Sequence, residues 1–205
     1  IIGAGAMGSA FTIPCIENGN DVTLIGTHLE NDLIDIISKS AHPALKVALP
    51  KTVKIKKNER IKDNLDADLI VCAVSSLGVD WFIDQISQMK NKKLNIVLLT
   101  KGLAIQGGKL ITISQKIKNE LKKKGFNDFV VSAIKGPCLA AGLANKMRTG
   151  TVIANENIEV SKSIQKQITT EYYSAETSED IEGVEFCGAI KNIYSMLIGA
   201  SEGLS

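Results

Sequence analysis

The residues best suited to chemistry are three glycines near the start of the chain and two lysines far along it. Gly3, Gly5 and Gly8 form Gly-x-Gly-x-x-Gly, after the apolar pair Ile1-Ile2 and before a helical pattern over Ser9–Asn18. In that setting the first glycine can make a tight turn and the second lets a pyrophosphate approach the main chain. The third lets helix and strand pack closely, while free N–H groups at the helix start face the phosphates. The pattern alone is weak evidence. Its context is strand, turn, helix and then a second apolar strand, Asp21–Ile25, which points to a dinucleotide. A glycine turn that only packs a helix on a sheet is the alternative. The second strand ends on Gly26-Thr27-His28-Leu29, with Glu30 late for the acidic residue that binds adenosine ribose hydroxyls. Thr27 and His28 can hydrogen-bond a 2′-phosphate, so the residues lean to NADP over NAD; His28 as a plain surface residue is the other reading.

Lys101 follows the apolar run Ile96–Thr100 and precedes Gly102, at the carboxyl end of a strand, where open α/β sheets bind ligands. Lys191 sits in an apolar helical stretch with Cys187, Gly188, Tyr194 and Ser195 one turn away and no acidic neighbour. A buried ammonium without a partner gives up its proton readily, and can donate it to a carbonyl oxygen and take it back. The competing reading is an apolar stem with its head in water.

These residues need a scaffold. Short apolar runs at Val22–Ile25, Leu69–Val74, Ile96–Thr100, Phe129–Ile134 and Thr151–Ala154 alternate with helical patterns. The helices are expected at Ser9–Asn18, Leu29–Lys39, Val79–Lys90, Lys109–Lys124 and Ile158–Thr169, and Thr52–Ile55 is a further short-strand candidate. Strands without period-two alternation, separated by helices, predict an α/β fold: a Rossmann-type, doubly wound, mostly parallel sheet. Ser178-Glu179-Asp180 offers an acidic helix start. From Ile181 to about Glu202 the pattern is apolar nearly all round, predicting a buried helix that opens an all-α C-terminal domain. The expected division is a dinucleotide-binding domain over 1–177 and the start of a helical domain over 178–205.

The chain has 205 residues, 24 basic and 22 acidic, with 44% hydrophobic and 4% aromatic residues. The net charge of +2 and the scarcity of aromatics argue against nucleic acid as a partner. Cys15, Cys72, Cys138 and Cys187 form no close pair, and His28 and His42 are the only histidines. No metal site and no disulfide framework is expected, and a cytoplasmic, reducing setting fits. No segment reads as a membrane span.

Four segments in order carry a resemblance: Gly3–Gly8; Leu99-Thr100-Lys101-Gly102-Leu103; Gly136-Pro137-Cys138-Leu139-Ala140; and Gly183–Asn192 followed by Gly199-Ala200-Ser201-Glu202-Gly203. Together they resemble the NAD(P)-dependent glycerol-3-phosphate dehydrogenase family over the whole chain. The resemblance implies an oxidoreductase that reversibly reduces dihydroxyacetone phosphate to sn-glycerol 3-phosphate with NADP or NAD, feeding glycerophospholipid synthesis. It implies Lys191 as catalytic acid/base and Lys101 at both substrate and nicotinamide. It also implies Gly136 and Cys138 at substrate, Ala140 at the cofactor, and Ala6 and Met7 at the cofactor within the glycine motif. Thr27 falls where the adenosine end is read, and Asn192 is local support. The implied partner is a small phosphorylated substrate, with a homodimer as one outcome for the complete protein.

Cys138 stands where the family has a hydroxyl residue, Leu139 where it has an aromatic one, and Ala141-Gly142 where it has an acidic stretch. Arg60 and Arg148 are the only arginines, and neither has the context of the family's phosphate-gripping Arg-Asn pair. The chain is therefore expected to lack part of its first strand and most of the helical domain, to bind a dinucleotide, and to turn over poorly. Two other readings stay open: another reductase of this architecture, such as a ketopantoate reductase, and a non-catalytic dinucleotide-binding module.

Overall fold

The computed structural model describes residues 1–64, 66–88 and 93–204. In chain order the helices are α1 (Ala6–Glu17), α2 (Asn31–Ile37), α3 (Val79–Ile86), α4 (Ile113–Lys123), α5 (Ala140–Ala144), α6 (Ile158–Ile168) and α7 (Ile181–Leu204). The strands are β1 (Thr23–Ile25), β2 (Lys54–Lys56), β3 (Ile70–Cys72), β4 (Leu94–Leu98), β5 (Leu103–Gln106), β6 (Lys109–Thr112), β7 (Phe129–Lys135), β8 (Thr149–Ala154) and β9 (Tyr173–Ser178).

Ile2 makes parallel bridges to Ile25 and to Cys72, so it joins the β1–β2 pair to the larger sheet. The order across the sheet is β2, β1, the Ile2 segment, β3, β4, β7, β8, β9, parallel except for the antiparallel β7–β8 pairing. Counted from the Ile2 segment, the first six positions run third, second, first, fourth, fifth, sixth. That is the doubly wound arrangement, with its ligand crevice where the order reverses, at the carboxyl ends of the Ile2 segment and β3.

Alternation along each strand feeds two layers. Val71 and Val97 join Phe11, Leu24, Ile34 and Tyr173 on one face. Ile70, Cys72, Ile96 and Leu98 join Phe82, Ile83, Ile117 and Leu121 on the other. Each fully buried side chain of this size contributes about 1.5–3 kcal/mol. Helices over both faces explain why the strands read as continuous apolar runs.

Several expectations need correction. Lys109–Thr112 is a strand, not the start of a helix: it pairs antiparallel with β5 across Gly107-Gly108, whose φ values of 57° and 74° suit a two-residue hairpin turn. α2 is shorter than Leu29–Lys39, α3 ends at Ile86, and the Met89-Lys90 end of the predicted third helix lies outside the described residues. α5 and β9 were not anticipated.

The largest departure is α7. Of its residues only Ile181 and Glu185 are buried, while Ile193, Tyr194, Met196, Leu197 and Ile198 are exposed. Its start is well anchored. Asp180 accepts the Gly183 N–H at 2.8 Å, and a Cβ on Gly183 would lie 2.1 Å from Asp180 Oδ2, so a larger residue there would make the capping carboxylate turn aside.

Candidate functional site

The turn between the Ile2 segment and α1 is shaped by contacts that only glycine permits. Gly3 has φ +110°, and a Cβ there would lie 2.7 Å from the Ala73 carbonyl. A Cβ on Gly8 would lie 2.0 Å from Gly3 O. Gly5 differs: a Cβ there would meet only Glu30 Oε1, at 3.7 Å. Packing of the fold thus demands the first and third glycines and leaves the second free for a ligand. α1 starts at Ala6 with no side-chain cap and no acidic residue in its first turn, and Gly5, Ala6 and Met7 are half-buried at its open end. Such a helix start suits phosphate, and the cradle fits a dinucleotide.

Three side chains hold the turn through Ala4. Ser9 Oγ donates to its carbonyl at 2.8 Å. His42 Nδ1 accepts the Ala44 and Leu45 N–H groups, which places the proton on Nε2, 3.2 Å from the same carbonyl. Glu30 Oε2 accepts the Ala4 N–H at 3.1 Å and the Thr27 N–H at 2.7 Å. The carboxylate that stands late in sequence therefore reaches back onto the turn, and its other oxygen, Oε1, takes neither bond. Thr27 is half-buried. His28 is exposed, with its ring 5.3 Å from that of Trp81 on α3.

The lysine side of the crevice is joined to the turn through β3. Thr100 Oγ1 donates to Val74 O at 2.8 Å, and Val74 follows Ala73, against which Gly3 packs. Gly102, at φ +131°, folds over Ser76. Lys101, between them, is exposed as a residue. Partial burial of its ammonium, and then repulsion from Lys191, lower its pKa against a weaker pull from Cys138. Lys101 and Lys191 thus lie within electrostatic reach of each other. Lys191 is half-buried rather than buried, because α7 is exposed beyond its first turns. The fully enclosed lysine is one the sequence reading missed: Lys135, at the end of β7, 3% exposed. Loss of hydration brings its pKa down to about 8 against the attraction of Glu185 and Cys72.

Gly136 has a packing reason for being glycine, since a Cβ would sit 2.8 Å from Thr151 Cα. Cys138 is buried, and that burial raises its thiol pKa against a hydrogen bond from Thr149 and the charge of Lys101. It is therefore a weak donor in an enclosed place, within electrostatic reach of Lys101. Ala140 is half-buried at the start of α5. Asn192 is exposed, with no hydrogen bond among the described residues that supports Lys191. No group of three or more His, Cys, Asp or Glu among the described residues is placed to hold a metal ion. No described helix is long and apolar enough to cross a membrane.

Residues 1–161 match the family model for the NAD-dependent glycerol-3-phosphate dehydrogenase N-terminus. The chain is 32% identical over 208 residues to an NADP(+)-dependent glycerol-3-phosphate dehydrogenase of Archaeoglobus fulgidus, covering 99% of this chain and 60% of that protein. It is 32% identical over 211 residues to a glycerol-3-phosphate dehydrogenase [NAD(P)+] of Bacillus licheniformis, covering 100% of this chain and 58% of that one. Among solved structures, the glycerol-3-phosphate dehydrogenase of Coxiella burnetii superposes with TM-score 0.83 at 25% identity, over 99% of this chain and 60% of that one. The chain thus spans about three fifths of the length of these relatives. A UDP-D-ManNAc dehydrogenase of Pyrococcus horikoshii, at 14% identity and TM-score 0.65 over 91% of this chain and 48% of that one, shares the fold alone.

Proposed function

The chain belongs to the NAD-dependent glycerol-3-phosphate dehydrogenase family, and from that premise we propose that the complete protein reversibly reduces dihydroxyacetone phosphate to sn-glycerol 3-phosphate. The observation that carries the reading is a glycine cradle whose second glycine the fold itself does not need, joined through Val74 and Thr100 to Lys101, which lies within electrostatic reach of Lys191. When bound, a reduced nicotinamide dinucleotide supplies the hydride. The chain's own residues do the rest. The open start of α1 at Ala6 and Met7 holds the pyrophosphate. Lys191 holds the proton delivered to the carbonyl oxygen, and the Lys101 ammonium stabilises negative charge growing on that oxygen. Cys138 and the Gly136 turn line the substrate side, and Ala140 the cofactor side.

The placement of Glu30 shifts our reading of the cofactor from NADP to NAD. A carboxylate on the turn suits two ribose hydroxyls and repels a 2′-phosphate. The names of the relatives include both cofactors.

The test is turnover of dihydroxyacetone phosphate and ketopantoate side by side by the complete protein, and by its Lys191→Ala variant. Reduction of the phosphorylated ketone alone, lowered about 10²–10⁴-fold by the substitution with dinucleotide affinity retained, is the expected result. Faster turnover of ketopantoate would replace this reading with the other reductase. Unchanged activity in Lys191→Ala would remove Lys191 from the chemistry, and dinucleotide binding with no reductase activity in the parent would favour a binding module.

A further inference from the structure

Lys135 belongs to none of the motifs, yet it touches both the strand end that leads to Lys101 and the helix that carries Lys191. Its Nζ donates to Leu98 O at 3.1 Å. Leu98 is the last residue of β4 and stands three positions before Lys101. The methylene stem of Lys135 lies under α7 at Gly188, where a Cβ would come within 3.1–3.2 Å of its Cβ, Cγ and Cδ. Gly188 stands three positions before Lys191, on the adjoining turn of the helix. The Lys135 ammonium is also attracted by Glu185, one turn earlier on α7 and fully buried. The Glu185 carboxylate in turn accepts the Ser114 N–H at 3.1 and 3.3 Å, at the start of α4. An enclosed ammonium with a single hydrogen-bond acceptor among the described residues is an expensive way to fill a core position, which a leucine or methionine would fill at lower cost. Groups held so against their solvation preference cluster where a site needs them.

We propose that Lys135 is a positioning residue: it ties the end of β4 to the first turns of α7 and so sets the separation of Lys101 and Lys191. The carbonyl of Leu98 fixes one end of the tie, and Gly188 with Glu185 fixes the other. The inference rests on the reading of Lys101 and Lys191 as the working pair. It concerns how they are held and assigns Lys135 no contact with substrate.

The test uses the complete protein. Lys135→Met keeps the length of the stem and removes the ammonium, while Gly188→Ala leaves the charge and crowds the stem. Two quantities are read: backbone hydrogen exchange of residues 181–191 against that of α1, and kcat against the KM for the reduced dinucleotide. For Lys135→Met the expectation is about tenfold faster exchange confined to 181–191, and a roughly tenfold lower kcat with dinucleotide KM within twofold. Gly188→Ala is expected to show the same split at smaller size. Parent-like exchange and kcat in Lys135→Met overturn the proposal, as does faster exchange throughout the molecule with dinucleotide affinity lost, which marks a merely structural residue. If Lys135→Met does not fold, Gly188→Ala decides: parent-like values there overturn the tie. A parent without reductase activity, whose variants still loosen 181–191 alone, refutes the enzymatic reading and leaves the mechanical tie in place.

Discussion

Around the glycine-rich turn, the N–H and carbonyl of Ala4 are both taken by side chains from α1, the start of α2 and the loop at His42. Around the lysines, a half-buried Lys191 and an exposed Lys101 repel each other, and an enclosed Lys135 makes a single hydrogen bond among the described residues. One region is ordered by well-satisfied hydrogen bonds, two of them to the Glu30 carboxylate, and by close van der Waals approach. The other is ordered against electrostatic preference. The first is broken most severely by steric means, whereas the second responds chiefly to pH and charge.

Substitution of the glycines breaks the comparison hardest. Gly8→Ala places a methyl 2.0 Å from Gly3 O, within a turn that has nowhere to move. It is expected to cost on the order of 3–5 kcal/mol in urea unfolding, with dinucleotide binding lost. Gly5→Ala meets only Glu30 at 3.7 Å. Its stability cost should stay near ~1 kcal/mol, the price of alanine at a helix N-cap, while calorimetric titration shows dinucleotide affinity at least about tenfold weaker. Equal stability losses in the two variants would mean that the second glycine serves the fold after all.

The next effect belongs to the lysine side. The folded-state pKa of Lys135 is lowered to about 8, below its ordinary 10.5, chiefly by lost hydration. Below pH 8 the group is charged in both states and its burial cost is present in full. From pH 8 to about 10.5 the folded protein sheds that proton first, so the cost fades and stability rises. The difference in unfolding free energy between parent and Lys135→Met should therefore move in favour of the parent by on the order of 3 kcal/mol across that interval. A pH-independent difference would show that Lys135 is as well satisfied as the glycine turn.

The smallest effect sharpens the boundary between the regions. Glu30→Gln keeps an oxygen for the Ala4 and Thr27 N–H groups but removes the charge. The ratio of NADH to NADPH affinity should fall about tenfold, roughly 1.4 kcal/mol, with little change in melting temperature. An unchanged ratio would return Thr27 and His28 to consideration as readers of a 2′-phosphate.

The same contrast separates what was legible in the sequence from what was not. The glycine turn is local: three spacings and a flanking strand and helix announce it, and the structure places Ala6, Met7 and Thr27 around it. The apolar strands were legible because helices cover both faces. The hairpin at Leu103–Thr112 is hidden in the sequence, although Gly107-Gly108 between Ile105 and Leu110 is a two-residue turn signal, because the helical pattern of the following segment continues back to Lys109. Glu30 stands late in the sequence for the ribose-binding acid, and the short loop before α2 folds it back onto Ala4. Lys191 was expected to be the enclosed lysine because its helix is apolar. Enclosure depends on what packs against a helix, and that fell to Lys135 through Gly188 and Glu185, some fifty residues away. No periodicity in the neighbourhood of Lys135 carries that information.

The closed bonding of Ala4 has a thermodynamic consequence for ligand capture. A phosphate-binding turn that is loose in the free protein loses backbone freedom at the moment of association, roughly 1–2 kcal/mol per residue ordered. Here Ser9, His42 and Glu30 immobilise the turn during folding, so that loss has already been incurred when the dinucleotide arrives. Association at this end of the crevice should then be rapid and near rigid-body, with a modest heat-capacity change set by the ligand's own buried surface rather than by folding of the loop around it.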